Sequence, residues 1–171
     1  FGIVCHVGML GSVFINPTVL NRGHFCIDFF YEDRDVIVIV KDIGVLSTHT
    51  VRHEQFTAEN AVTDYLRKGQ ARSAKRACCV HRLDRETSGV MVFAKNEQAA
   101  EFLREHWSEN LKIYTALTNG VPEKSEGILE NWLAEDRDLY MNVVDRKTDG
   151  AKFCKTEYKV EEQIGRIAKI S

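Results

Sequence analysis

His81-Arg82-Leu83-Asp84-Arg85-Glu86-Thr87-Ser88-Gly89-Val90-Met91-Val92-Phe93-Ala94-Lys95 joins a charged loop to a short apolar run. Residues 90–94 read as a buried strand bounded by turn signals, so the loop before them is anchored at one end by a rigid element. Asp84 has Arg82 two positions before it and Arg85 one after, cations that favour its ionised form. An ionised carboxylate can act as a nucleophile or a base, and loops held by a scaffold strand are where such groups usually sit. An aspartate between arginines in a turn is, however, most often a solvated surface ion pair that contributes little. Local chemistry alone does not separate the two.

Working outward, residues 36–40 read as a second buried strand after the acidic turn Tyr31-Glu32-Asp33-Arg34-Asp35. Thr57 opens a helix in which Ala61, Val62, Tyr65 and Leu66 share a face, and Gly69 ends it. Asn96 caps a second helix carrying Ala99, Leu103 and Trp107 on one face, and Leu103 and Trp107 read as core. Residues 111–117 are expected to return as a strand, and residues 156–162 and 166–171 to form a hairpin turning near Gly165. Helices and strands in this irregular order predict an α+β fold, a mixed and mostly antiparallel central sheet with flanking helices.

The stretch from His81 to Lys95 resembles the signature of the RluA family of pseudouridine synthases, H-R-L-D-x-x-T-S-G, four mostly apolar residues, then A-K. Lys112-Ile113-Tyr114-Thr115-Ala116 is similar to the family's K-x-Y-x-A segment, and Lys41-Asp42-Ile43-Gly44 resembles its K-P-x-G loop without the proline. The resemblance covers roughly residues 30–171. It implies an RNA-uridine isomerase in which Asp84 is the catalytic carboxylate and Tyr114, the second catalytic residue, lies against the extruded base and helps to remove the C5 proton. Arg82 would enter the RNA stack where that base leaves; a planar cation can stack and hydrogen-bond at once. Extruding a base costs roughly a few kcal/mol. By the same resemblance His81, Arg85, Thr87 and Lys112 line the RNA side, His81 as a loop-shaping residue, and no metal or organic cofactor takes part. Asp84 could attack C1′, attack C6 or remove a ribose proton, and the sequence does not choose among these.

Charge distribution adds an RNA-facing candidate surface. The formal net charge is −2, but residues 64–95 hold eight Lys/Arg against three acids, a local net of +5. Arg72, Lys75 and Arg76 in that stretch are candidate phosphate contacts. Residues 121–150 reverse the balance, with eight acids against four Lys/Arg, and are expected to face away from RNA. The partner expected is ribosomal or transfer RNA, and the family implies a monomer.

Five cysteines, with no C-x-x-C spacing and an adjacent pair at Cys78-Cys79, read as free thiols of a reducing compartment. The longest charge-free stretch, residues 1–21, is broken by glycines, Asn16 and Pro17 and does not read as a membrane span or signal peptide. A cytoplasmic location is expected.

Two segments depart from the family pattern. The chain ends at Ser171 before the family's C-terminal T-G-R-x-x-Q-I-R segment, so residues 30–171 read as a catalytic domain cut short, whose activity belongs to a longer parent. Residues 1–29 carry no specific motif and are read as a segment of unclear role, a candidate remnant of an RNA-binding domain. A non-catalytic RNA-binding or ribosome-assembly protein that keeps the fold is the alternative function. An unrelated hydrolase or metal enzyme is disfavoured, since no second acid, Ser-His pair or ligand cluster accompanies Asp84.

Overall fold

The computed structural model describes residues 19–22, 25–49, 56–136 and 140–171. Most of the N-terminal segment discussed above therefore lies outside the described residues. The chain divides into two compact units, one through Ala116 and one from Leu117 to Ser171.

The first unit is built on a five-stranded sheet in the order β1-β2-β3-β5-β4. These are Val19–Arg22, Phe25–Glu32, Val36–Lys41, Gly89–Ala94 and the short edge strand Cys78–Cys79, in the order β1, β2, β3, β5 and β4. All of its pairings are antiparallel. A boundary after residue 29 would fall inside β2, which is hydrogen-bonded to both β1 and β3.

Register explains which residues form the core. Ile37 pairs with Phe93, Ile39 with Met91, and Phe29 with Ile39, so one face of the sheet presents Ile27, Phe29, Ile37, Ile39, Met91 and Phe93 together. Helix α1, Ala58–Arg67, covers that face with Ala58, Ala61, Val62 and Leu66. This is the stripe expected from i, i+3, i+4 spacing. The helix starts where Thr57 accepts a hydrogen bond from the Asn60 N–H at 3.2 Å, and it ends at Lys68 in the left-handed region, φ 49°, followed by Gly69 at φ 78°. Thr57→Ala removes the cap acceptor, and its expected cost is about 1 kcal/mol, measured by denaturant unfolding.

The opposite face is covered near β4 by helix α2, Glu97–Glu105, through a smaller cluster of Cys78, Ala94 and Ala100 with Val80, Ala99 and Leu103. Asn96 caps α2 by accepting from the Ala99 N–H at 2.9 Å. The helix stops before Trp107, which lies instead in a one-turn 3₁₀ helix, Trp107–Glu109, and so leaves the Ala99–Leu103 stripe. Cys78 and Cys79 are free thiols, as is Cys154 in the second unit.

The acidic turn after β2 has a structural task. Asp33 accepts the backbone N–H groups of Val36 at 2.7 Å and Asp35 at 2.8 Å, which hold its carboxyl below the usual range. Lys95, at the far end of β5, donates to Glu32 at 2.7 Å and to the Asp33 carbonyl at 2.5 Å. The lysine that closes the long motif thus ties β5 to the β2–β3 turn.

The second unit holds another five-stranded sheet, β6-β10-β9-β7-β8. Its strands are Ala116–Asn119 (β6), Glu126–Glu135 (β7), Met141–Val144 (β8), Lys152–Ile164 (β9) and Ile167–Ile170 (β10). The β9–β10 hairpin turns at Gly165, φ 60°, a left-handed position that favours glycine. The expected strand over 111–117 is corrected: residues 111–115 are not in a strand, and β6 begins at Ala116. Residues 111–115 pair with no described strand, so the ladder of backbone hydrogen bonds that a strand requires is missing there. Two five-stranded sheets, the first covered by two helices, make an α+β fold.

Candidate active site

The loop from His81 to Thr87 enters β5, and each end is fixed by a different kind of contact. Thr87 is buried, and its N–H donates to the Asp84 carbonyl at 3.1 Å, closing a tight turn. Within that turn Arg82, Asp84, Arg85 and Glu86 are exposed while Leu83 is buried. The Leu83 side chain therefore plugs the turn into the core and leaves the Asp84 carboxylate facing solvent.

A second loop, residues 42–47, grips the first. The Ser47 hydroxyl donates to the Leu83 carbonyl at 2.5 Å and accepts the Leu83 N–H at 3.0 Å. The Gly44 N–H donates to the Arg85 carbonyl at 2.8 Å, and Arg85 Nε donates back to the Gly44 carbonyl at 3.3 Å. Asp84 is thus held between two anchored neighbours. Gly44 has φ 84°, so the glycine of the Lys41-Asp42-Ile43-Gly44 loop is there for its backbone.

Lys41 ties down the gripping loop. It is fully buried at the end of β3, and its Nζ donates to the carbonyls of Val45 at 2.8 Å and Asp42 at 3.1 Å. Burial pushes its ammonium down to about 8, while the charges of Asp42, Asp84 and Glu86 pull the other way. The cation and the Asp84 carboxylate therefore share one electrostatic neighbourhood.

His81 stands on the other side of the loop. Its ring stacks on Trp107, with centroids 4.3 Å apart and planes at 20°, and its Nε2 accepts the Val92 N–H at 3.0 Å. Burial, reinforced by the Lys112 charge, pushes its pKa down to about 4. Only the neutral imidazole keeps an acceptor for Val92. The unfolded chain takes up this proton near 6.5 and the folded chain only near 4. The stability contribution of neutral His81 is therefore complete above 6.5 and falls as the pH drops from 6.5 towards 4. In His81→Gln, which keeps an acceptor but does not titrate, the expected loss of unfolding free energy between pH 7 and pH 5 is smaller than in the wild type.

The other residues singled out from the sequence lie on other segments of the chain. Lys112 and Tyr114 belong to the exposed segment after the 3₁₀ helix, and Lys112 Nζ reaches the Trp107 carbonyl at 3.5 Å. Arg72 and Lys75 are exposed in the loop that follows α1. Arg76 forms an ion pair with Glu97 at 3.3 Å, so a phosphate would compete with a carboxylate for it. A cavity of about 370 Å³ opens beside Arg76, between Glu59, Cys79, Glu97 and Arg104. There Glu59 accepts the Cys79 N–H and Arg104 donates to the Cys79 carbonyl, so the cavity covers the sheet's edge strand rather than Asp84.

Ser47, Lys41 and Trp107 carried no site role in the sequence reading. Only the K-x-x-G resemblance pointed near the first two, and none of the three has a local signal for its contact with the loop.

Comparison with known proteins follows the same lines. The RNA pseudouridylate synthase family model matches residues 35–170. Ribosomal large subunit pseudouridine synthase D of Borreliella burgdorferi is 29% identical over 154 residues, 87% of this chain and 47% of that protein. An uncharacterized RNA pseudouridine synthase of Aquifex aeolicus is 32% identical over 134 residues, 77% of this chain and 40% of its own length. The chain spans about half the length of the curated relatives it matches. The solved structure of human RNA pseudouridylate synthase domain containing 4 superposes with a TM-score of 0.65 at 25% identity, covering 83% of this chain and 56% of that one. A family match over residues 35–170, which takes in β3 to β10 and the H-R-L-D turn, makes this chain a member of the RNA pseudouridylate synthase family, of the RluA type.

Proposed function

We propose that the full-length protein is an RNA-uridine isomerase that converts uridines of ribosomal or transfer RNA to pseudouridine, with Asp84 as its catalytic carboxylate. The observation that carries this reading is the exposed Asp84 carboxylate in a turn whose neighbours on both sides are pinned, Leu83 by the Ser47 hydroxyl and Arg85 by the Gly44 N–H. A reacting group needs such fixed placement, whereas a solvated surface pair does not. The names of relatives acting on the ribosomal large subunit favour ribosomal RNA as the substrate.

Arg82, exposed two residues before Asp84, would fill the gap left by the extruded base, and Tyr114 would lie against that base. The exposed Arg72 and Lys75 would contact phosphates, with His81 shaping the loop and Lys112, Arg85 and Thr87 completing the RNA side. Residues 30–171 would form most of the catalytic domain, and the protein would act as a cytoplasmic monomer without a cofactor. Among the described residues no helix is long and apolar enough to cross a membrane.

The reaction detaches uracil from C1′ and rejoins it through C5, so the C5 hydrogen leaves as a proton. The test is tritium release from RNA transcribed with uridine labelled at C5, using the full-length protein and RNA from a strain lacking it. Release above background is expected. None on either ribosomal or transfer RNA would overturn the isomerase reading in favour of RNA binding without turnover.

A further inference from the structure

We infer that Ser47 is a positioning residue for Asp84, acting through the backbone of Leu83; the inference rests on the isomerase reading above.

In extended backbone the N–H and C=O of one residue point to the same side, where a neighbouring strand would normally pair with both. Leu83 has the Ser47 hydroxyl there instead, donating to its carbonyl at 2.5 Å and accepting from its N–H at 3.0 Å across 36 residues of sequence. One side chain replaces a strand at the residue next to Asp84. The Ser47 side is itself rigid. Its carbonyl accepts the Glu59 N–H at 3.1 Å and the Leu46 carbonyl accepts the Ala58 N–H at 2.8 Å, so two N–H groups at the start of α1, which have no partner within the helix, are satisfied by this loop. Ser47 is buried, with Met91 Sδ 3.5 Å from its hydroxyl, so water has no access with which to replace it. The path is continuous: the α1 N-terminus fixes Ser47, Ser47 fixes Leu83, and Leu83 sets the origin of the Asp84 side chain.

The Gly44–Arg85 pair secures the other neighbour, but there Arg85 Nε contributes a 3.3 Å bond from an exposed side chain. Deleting the Ser47 hydroxyl therefore frees the buried anchor of the two. Two backbone groups that folding has desolvated would be left unpaired, and the turn would relax to hydrate them. A displacement of about 1 Å at a reacting group can cost on the order of 100-fold in rate.

The experiment uses the full-length protein and single-turnover pseudouridine formation at saturating RNA, at a temperature where all variants are folded. Ser47→Ala is expected to lower the rate constant about 10- to 100-fold while the RNA Kd stays within twofold. Ser47→Thr, which keeps the hydroxyl, is expected to recover most of that rate. Leu103→Ala, in the separate cluster beneath α2, serves as the stability control and is expected to keep the wild-type rate despite a lowered Tm. Amide exchange at Leu83 is expected to accelerate in Ser47→Ala alone.

A wild-type rate in folded Ser47→Ala, or unchanged Leu83 exchange, would overturn the inference. So would a loss that Leu103→Ala reproduces. Asp84→Asn, run in parallel, separates the two levels. If it is as active as the wild type, the isomerase reading of the site fails and this inference with it. If it is inactive while Ser47→Ala is unimpaired, only the positioning role is lost.

Discussion

Asp84→Asn in the full-length protein is expected to reduce pseudouridine formation by on the order of 10³-fold or more, in line with the loss of a positioned carboxylate that acts as nucleophile or base. The substitution is nearly isosteric, and the side chain it alters is exposed, so no buried contact is broken. The main anchors of the turn involve backbone atoms of Leu83, Asp84 and Arg85, and they are untouched. Unfolding free energy should therefore stay within about 0.5 kcal/mol of the wild type, as for most surface substitutions. Tritium release and a denaturant titration on the same preparation check both halves. A stable, folded Asp84→Asn protein that releases tritium at the wild-type rate would remove Asp84 from the chemistry.

Phe93→Ala is expected to cost about 3–5 kcal/mol, the range for truncating a fully buried aromatic side chain. Phe93 is fully buried, paired in register with Ile37 on one side and Cys79 on the other, and sits in the cluster that joins β5 to α1. Total stabilities of about 5–15 kcal/mol leave little after such a loss. Because β5 carries the Asp84 turn, activity and folded fraction should fall together in this variant, unlike in Asp84→Asn. Circular dichroism through a urea titration, with tritium release at each concentration, measures both. A loss under 1 kcal/mol would mean that α1 can collapse into the vacated volume.

These two substitutions mark where the sequence was sufficient. The continuous apolar runs of β3 and β5 and the capped amphipathic pattern of α1 depend on neighbours within a few residues, and they are legible in the sequence as such. So is the Asp84 turn, through its charges, its small residues and its family signature. The β-branched and aromatic residues of 111–115 predict a strand that the structure does not form, because a strand exists only if a partner pairs with it. Spacing alone predicts Trp107 on the stripe of α2. A helix ending at Glu105 turned it instead onto His81.

Composition, periodicity and motif thus sufficed for the α+β class and the main core elements, and the family signature points to Asp84 as the carboxylate to test, because each is encoded in contiguous residues. How that carboxylate is held was decided only by the folded chain. Ser47 meets Leu83 across 36 residues and Arg85 meets Gly44 across 41, contacts between segments whose local propensities carry no trace of each other. The buried Lys41 and the neutral His81 belong to the same category. Burial moves each away from its ordinary protonation range, and burial is a property of the packed fold, not of the residue.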